Sequence, residues 1–246
     1  MSVLAKISST LKNDGYIICD ALLDLIAPPR CMNCLTEGSY LCRKCREKIR
    51  FTGKQTCLVC HKPSARGLTC RRCQKDTRLY GLLSFGSYQS AWLRRGIGWL
   101  KFKSVAGVAP DLAYLLLPLL AQIAPISELC QEAVIVPIPL HPRRLRQRGF
   151  NQSEEIARHI SSAVGIDNTS LLARRKYTWA QAKLPRELRG ENMAGAFWRS
   201  GELSPGKKIV IILDDVTTSG STLDEAARAL ELPRDIQVWG LTVARG

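Results

Sequence analysis

The sequence predicts an α/β protein with a doubly wound parallel sheet, preceded by a small cysteine-rich module. Three observations carry this prediction: apolar strands alternate with helices from about residue 81, one buried strand ends in two acids and a hydroxyl-rich turn at 209–222, and four CxxC pairs lie between residues 31 and 73. Alternation of strands and helices is typical of parallel sheets covered on both faces. We therefore predict an N-terminal helical segment over 1–28, a double cysteine ribbon over 29–80 and an α/β domain over 81–246.

The elements of the α/β part follow from apolar runs and their periodicity. Strands are expected at 82–88, 133–139, 209–213 and 236–243, and helices at 111–123, 151–164 and 222–231. A helix with four basic residues follows the first strand, and residues 171–200 are polar and basic with a helical middle.

The charge balance favours polyanionic partners. The chain has 246 residues with 36 basic and 21 acidic side chains, a formal charge of +15. Such an excess suits nucleic acid, phosphorylated metabolites or anionic lipid without choosing among them. The most apolar stretch, 112–126, is short and interrupted by Pro118 and Pro125, so we expect no membrane span. With no export signal recognised, we expect a cytoplasmic protein with reduced thiols.

Eight of the ten cysteines form four CxxC pairs, which are typical of metal knuckles. The segments 31–45 and 57–73 repeat the same pattern, and we predict two structural Zn²⁺ sites with four thiolates each. The ligands are Cys31, Cys34, Cys42 and Cys45 for one ion, and Cys57, Cys60, Cys70 and Cys73 for the other. Interleaved pairing, replacement of one cysteine by His61 and an iron–sulfur cluster stay open. Cys19 and Cys130, outside the pairs, are expected to be buried small hydrophobes.

The segment IVIILDDVTTSGST, residues 209–222, is the most informative motif. Open α/β sheets bind ligands where their strands end. The following turn offers hydroxyls, backbone N–H groups, a glycine and a helix N-terminus, which together suit a phosphate. Its residues are Thr218, Ser219, Gly220, Ser221 and Thr222. Asp214 and Asp215 are placed to hold sugar hydroxyls or a Mg²⁺ ion carried by a polyphosphate. An ordinary strand, turn and capped helix is the alternative.

A second anion site is expected at the end of the strand at 133–139. Pro137, Ile138 and Pro139 are followed by four arginines within six positions, in a loop before the helix at 151–164. The arginines are Arg143, Arg144, Arg146 and Arg148. Guanidinium groups beside a helix N-terminus suit a phosphate or pyrophosphate. A solvated basic loop is the alternative, and His141 is either an acid–base group or a hydrogen-bonding spectator.

Together with these motifs, the segment 173–198 and the Pro-Pro-Arg-Cys opening at 28–31 make the chain resemble the ComF (GntX-like) family of competence-associated proteins. The resemblance covers about residues 20–246. It includes Lys101-Phe102, VPIPLHPRRLRQRGFNQ at 136–152, and the spacing of Arg174, Lys176, Thr178, Gln181, Arg189, Asn192 and Phe197, with Lys176 where the family pattern has arginine. Residues 209–222 also match the phosphoribosyl pyrophosphate (PRPP) signature of type I phosphoribosyltransferases, with Ser219 for a threonine.

The resemblance implies a type I phosphoribosyltransferase-like sheet with a small hood built from 81–105 and 173–198. It implies that residues 218–222 bind the 5′-phosphate of PRPP, and that Asp214 and Asp215 are catalytic and bind the ribose hydroxyls directly or through Mg²⁺. The segment that includes Pro137, Ile138, Pro139, Arg143 and Arg144 would receive pyrophosphate. The acceptor is not identified by any residue. Natural transformation is the associated process.

An alternative function is a non-catalytic factor that handles single-stranded DNA and uses the PRPP site for regulation. Basic side chains of the ribbons would follow a phosphate backbone, and Phe51 would stack on a base. These side chains are Arg43, Lys44, Arg46, Lys48, Arg71 and Arg72; a solvated surface is the simpler interpretation. The partners expected are PRPP, single-stranded DNA, and a DNA-uptake helicase or other competence protein. An adaptor for a protein partner is a third hypothesis.

Overall fold

The computed structural model describes residues 28–49, 51, 55–103, 105–176 and 194–246. The chain divides into two compact units, Met1–Ile49 and Arg50–Gly246. The predicted N-terminal helical segment and the helical middle of 171–200 lie outside the described residues. The three-part domain division stays a prediction.

The described part of the smaller unit is built around the first two CxxC pairs. A bridge joins Arg30 to Glu37, and helix α1 (Arg43–Lys48) carries the last cysteine on its buried face. Met32 and Leu41 are buried beside the cysteines. So few apolar side chains make a small core, which fits a module that depends on metal for its stability.

The larger unit begins with the second cysteine group and continues into the α/β sheet. A bridge joins Thr56 to Pro63, and two 3₁₀ turns, Ala65–Gly67 and Arg71–Cys73, surround the second half of the group. A further bridge pairs Leu68 with Gly81 at the start of the first sheet strand. The second cysteine group is therefore hydrogen-bonded directly to the sheet.

Five strands form one parallel sheet in the order β1-β7-β6-β2-β3. The strands are β1 (Gly81–Ser87), β2 (Ala133–Pro137), β3 (Asp167–Asn168), β6 (Ile209–Thr217) and β7 (Gln237–Arg245). The central strands are buried almost throughout, as expected for a sheet covered on both faces. The predicted parallel α/β fold is confirmed.

Six helices of the described residues flank the sheet or connect its strands: α2 (Ala91–Phe102), α3 (Ala109–Ile123), α4 (Ile126–Glu132), α5 (Pro142–Arg148), α6 (Gln152–Val164) and α7 (Ser221–Ala229). In the described part of the chain, Ala106–Ile123 is long and apolar enough to cross a bilayer by length and composition, but half of it is buried within the protein. Its helix α3 packs on α6, β1 and β7. These contacts are those of a core helix.

One local prediction is wrong: the arginine run after β2 is helix α5, not a loop. His141 Nδ1 accepts a hydrogen bond from the Arg143 N–H at 3.2 Å and so caps the helix, Pro142 occupies its first turn, and Gly149 ends it with a φ of 81°. Each of these is a common helix boundary signal. His141 is thus a capping residue.

Several further elements were not predicted. They are helix α4, the short strand β3, and an antiparallel hairpin of β4 (Leu172–Arg174) and β5 (Phe197–Arg199). Strand β6 also continues past the predicted end at Leu213, because Asp214 and Val216 keep pairing with Thr242 and Ala244 of β7. Both acids of the motif therefore belong to a strand.

Candidate functional site

The two motif acids lie at the carboxyl end of β6, each with its own partner. Asp214 Oδ1 accepts hydrogen bonds from Ser153 Oγ at 3.2 Å and from the backbone N–H of Asp215 at 2.9 Å. Asp215 is buried, and its Oδ1 lies 2.8 Å from Lys101 Nζ. Helix α6 supplies Ser153 and helix α2 supplies Lys101, so three elements meet at this end of the sheet.

Asp214 holds its proton more tightly than an ordinary aspartate. Burial and the neighbouring Asp215 raise the pKa of Asp214 to about 7, while Lys101, the Asp215 N–H and Ser153 act in the opposite direction. Two neighbouring carboxylates with one nearby ammonium resist full ionisation. A ligand that brings positive charge, or that donates hydrogen bonds to both acids, would favour the ionised form.

Arginines from two other elements surround these acids. Arg148 ends α5, donates to Gln152 Oε1 at 2.8 Å and lies over the Phe102 ring at 5.7 Å. Burial lowers the pKa of Arg148, and the charges of Asp215 and Asp214 oppose that change. Arg148 is therefore close enough to feel both carboxylates.

Arg174 reaches the same region from hairpin strand β4. It is buried, lies over the Phe197 ring at 5.3 Å, and donates from Nε to the Lys176 carbonyl at 3.4 Å. Burial and then the charge of Arg144 lower the pKa of Arg174 to about 10, against the opposing field of Asp214. Arg144, Arg148 and Arg174 thus form a cationic group beside the acids.

The hydroxyl-rich turn after β6 has the features of a phosphate site. Gly220 has a φ of 80° and precedes helix α7, whose first residue is Ser221. Ser219 Oγ and Ser221 Oγ lie 3.0 Å apart. Among the described residues, Thr218 Oγ1 is a buried hydroxyl oxygen with no hydrogen-bond partner. Buried polar atoms are normally paired, so this hydroxyl fits a turn that pairs with a ligand oxygen.

The predicted anion segment lies next to these acids along the sheet edge. Pro137 ends β2 beside Leu213 of β6, and Ile138 is fixed by its N–H to the Leu213 carbonyl at 2.9 Å and by Asn151 Nδ2 to its own carbonyl at 3.0 Å. Of the predicted arginines, Arg144 is half-buried and its charge acts on Arg148 and Arg174, whereas Arg143 is exposed. Pro139 is half-buried.

Three side chains near the acids were not predicted as site residues from the sequence: Lys101, Ser153 and Arg174. Lys101 and Arg174 belong to the family pattern, but neither was assigned to Asp214 or Asp215. Arg148 was predicted for the second anion site, and the structure brings it close to both acids. Asn151 caps helix α6 by accepting from the Ser153 N–H at 3.2 Å, and the Ser153 hydroxyl bonds to Asp214. No periodicity or spacing in the sequence indicates which distant residue contacts these acids.

Both cysteine groups have the geometry of tetrahedral thiolate sites. In each predicted set the four sulfurs lie within 4.8 Å of one another, which supports consecutive pairing. Cys34 Sγ and Cys42 Sγ are 3.6 Å apart, and Cys60 Sγ and Cys70 Sγ 3.8 Å. Zn–S bonds of about 2.3 Å place neighbouring sulfurs about 3.8 Å apart in a tetrahedron. His61 is exposed, and its Nδ1 contacts Arg245 at 3.0 Å.

The thiols of the first group differ in acidity, which indicates shared protons. Hydrogen bonds from Thr36 lower the pKa of Cys34 to about 6, whereas burial raises the pKa of Cys45 to about 12. A metal ion replaces such protons on binding because thiolates are its ligands. Cys130 is half-buried and donates to the Val164 carbonyl at 2.8 Å, while Cys19 lies outside the described residues.

Comparison with known proteins gives consistent results for both parts of the chain. Residues 22–74 match the model of the double zinc ribbon domain. The chain is 32% identical over 226 residues to the DNA utilization protein YhgH of Escherichia coli K12, covering 88% of this chain and 98% of that protein. It is 26% identical to Competence protein F of Haemophilus influenzae, covering 84% of this chain and 98% of that protein, and 24% identical to Competence protein ComFC of Bacillus subtilis, covering 87% of each.

These relatives align with this chain over most of their length, and the chain belongs to the ComF family.

Proposed function

We propose that this protein binds PRPP with Mg²⁺ at the carboxyl end of β6 and acts as a phosphoribosyltransferase-type protein in DNA uptake or DNA utilization. The observation that carries the proposal is the junction of two acids and an orphaned buried hydroxyl, Thr218 Oγ1, at one strand end. The relatives named for competence and DNA utilization support the cellular role. The acceptor is not specified by any feature of the site.

The 5′-phosphate binds at the turn 218–222. Thr218 Oγ1 donates to a phosphate oxygen, and the N-terminus of α7 contributes its positive end. Gly220 brings the backbone close to the ligand because it has no side chain.

The ribose hydroxyls and Mg²⁺ bind at Asp214 and Asp215. Mg²⁺ prefers carboxylate oxygens and substrate phosphates as ligands, and it would add positive charge where two carboxylates repel each other. Lys101 supplies one positive charge there now, at 2.8 Å from Asp215. Ligand binding therefore shares or displaces this ammonium, and it favours loss of the Asp214 proton.

The diphosphate of PRPP faces the cationic group. In a transfer reaction the bond between C1′ and the pyrophosphate oxygen breaks, its electron pair leaves with pyrophosphate, and a lone pair of the acceptor forms the new bond to C1′. Positively charged groups stabilise the departing anion. We assign this role to Arg144, Arg148 and Arg174. The charges of Asp214 and Arg144 both act on Arg148 and on Arg174, which supports a cationic group close to the acids.

Calorimetry with PRPP and Mg²⁺ tests the site. The wild-type protein should bind, and the double variant Asp214→Ala with Asp215→Ala should not bind. An Asp235→Ala variant is the control, since Asp235 is exposed and lies before β7 at the other end of the sheet. Unchanged binding by the double variant would refute the site.

A non-catalytic DNA-handling role is the second candidate. The six ribbon residues proposed to contact DNA are exposed, although Arg43 Nε forms a surface ion pair with Glu47 Oε1 at 2.8 Å. Phe51 is exposed by 38% and has an edge contact with Phe85. Binding of single-stranded DNA through these residues should weaken steeply as salt increases, and charge reversal at Arg71 and Arg72 should weaken it further. A flat salt response would exclude this role.

Under either candidate we propose a cytoplasmic location, with a DNA-uptake helicase or another competence protein as partner. Co-purification of other proteins with the tagged chain tests the partner. Recovery of the chain in the soluble fraction of the cells tests the location. Recovery with the membrane fraction alone would contradict the location.

A further inference from the structure

The second cysteine group touches the proposed phosphate turn through one leucine. Leu58 lies inside the pair Cys57–Cys60, is only 4% exposed, and belongs to the core cluster under the sheet. It packs directly on Gly220: a Cβ added there would lie 2.1 Å from Leu58 Cδ1. Glycine at 220 is therefore required twice, by its φ of 80° and by this contact.

Two other contacts hold the ribbon on β7, which lies beside the strand that leads into the turn. Arg245 of β7, which pairs with Thr217 of β6, donates to Thr56 Oγ1 at 2.8 Å and contacts His61 Nδ1 at 3.0 Å. Thr56 precedes Cys57, and His61 follows Cys60. Both ends of this knuckle are thus tied to the residue beside the start of the turn.

The segment after the last cysteine fixes the other end of the turn. Thr77 Oγ1 and the Arg78 N–H donate to Asp224 Oδ1, at 2.5 and 2.7 Å. Asp224 lies in the first turn of α7, and its N–H donates to the Gly220 carbonyl. The apex of the turn therefore contacts the second ribbon directly, and residues adjacent to its start and end contact the ribbon or its continuation.

Between Cys57 and His61 few backbone hydrogen bonds supplement the sulfurs. The Cys57 N–H donates to the Lys62 carbonyl, and the His61 N–H donates to the Cys57 carbonyl, which closes a short loop. Apart from Cys57 and Leu58, the residues of this loop are half-buried or exposed. Loops of this size depend on metal–thiolate bonds for their fold. The position of Leu58 consequently depends on the four thiolates as well as on the contacts of Thr56 and His61 with Arg245.

We propose that the second four-cysteine site positions the phosphate-binding turn, with Leu58 as the positioning residue that transmits metal occupancy to Gly220. This inference rests on the proposed function, in that the turn must bind a 5′-phosphate. The first four-cysteine site belongs to the other compact unit and has no such assigned role. Loss of the second ion lowers phosphate affinity at the turn.

The experiment compares two ligands that separate the turn from the rest of the site. Ribose 5-phosphate reports on the turn, and inorganic pyrophosphate with Mg²⁺ reports on the acids and arginines. The full-length protein carrying Leu58→Ala should bind ribose 5-phosphate about tenfold more weakly, within the usual range of coupling between sites. Pyrophosphate binding should stay within about twofold of wild type, and Leu58→Met should restore ribose 5-phosphate binding.

Leu41→Ala is the matched control, because Leu41 is an equally buried leucine beside a CxxC pair of the first group. It should change neither affinity. The inference would be overturned if Leu58→Ala lost affinity for both ligands equally. It would also be overturned if Leu58→Ala kept wild-type affinity for ribose 5-phosphate while retaining both metal ions. Wild-type protein that binds neither PRPP nor ribose 5-phosphate would instead refute the proposed function.

A second pair of variants decides the question should Leu58→Ala not fold. Cys60→Ser removes a ligand of the second site and Cys34→Ser one of the first. Metal content is measured by elemental analysis. Cys60→Ser should weaken ribose 5-phosphate binding about tenfold and Cys34→Ser should not. The proposal would be contradicted if both variants weakened ribose 5-phosphate binding equally, or if Cys60→Ser lost its metal without any change in that binding.

Discussion

Replacement of Asp214 by asparagine should stabilise the protein at neutral and alkaline pH while destroying ligand binding. The pKa of Asp214 is raised from 3.8 to about 7, so the folded protein keeps a proton that the unfolded chain releases. Between these values the folded state binds more protons, and stability therefore falls as pH rises from about 4 to about 7. Asparagine resembles the neutral acid and removes this loss.

The pKa of Asp214 differs by about three units between the folded and unfolded states, at 1.36 kcal/mol for each unit. Ionisation of Asp214 therefore lowers the free energy of unfolding by at most about 4 kcal/mol above pH 7. The stabilisation of Asp214→Asn relative to wild type should grow by about 2 to 3 kcal/mol between pH 5 and pH 8. For a chain of this size, 2 kcal/mol corresponds to a rise in Tm of about 4 to 8 °C.

Urea unfolding of the zinc-loaded protein at pH 5 and pH 8 measures this difference. Asp235→Asn, at an exposed position outside the site, is the control and should show no such growth. A stability gain of Asp214→Asn that is the same at both values of pH, or a loss at pH 8, would refute the reasoning about the buried carboxyl pair.

Three further predictions follow from the site and the ribbons. Binding of PRPP with Mg²⁺ at pH 7 should release protons from Asp214, which calorimetry in two buffers of different ionisation enthalpy detects; equal heats in both would contradict it. Lys101→Met should lower the free energy of unfolding by about 3 kcal/mol, because it leaves buried Asp215 without its cation, and a denaturant midpoint like that of wild type would contradict this. Freshly purified protein should hold two zinc ions per chain by elemental analysis, and a chelator should unfold the ribbons; absence of zinc, or iron in its place, would overturn this prediction.

Local patterns of the sequence were enough to predict four of the five sheet strands and both cysteine sets. Apolar runs identify β2, β6 and β7 because parallel strands are buried on both faces. Repeated CxxC pairs identify the metal sites because the ligands come in short spacings. In both cases the information lies within a few residues of the element concerned.

The partners of the two acids could not be predicted because they are distant from the acids in the sequence. Lys101 and Ser153 reach Asp215 and Asp214 from helices far away in the sequence, and only tertiary packing brings them together. The helix at Pro142–Arg148 was mistaken for a loop because its arginines dominate its composition, whereas its boundaries depend on His141 and Gly149. In the sequence, Leu58 is one of two unassigned residues between Cys57 and Cys60. Only the structure shows its contact with Gly220.

The division of the chain at Ile49 sets where the protein can be cut for dissection. Truncation before Arg50 removes one metal-binding motif and leaves Gln55, whose amide group bonds both the N–H and the carbonyl of Ser84 in β1. Truncation at Tyr80, where the composition changes, would instead remove Leu58 and Leu79. Both belong to the core cluster that includes Leu82 of β1. Any minimal fragment for crystallography or ligand screening should therefore retain the second ribbon.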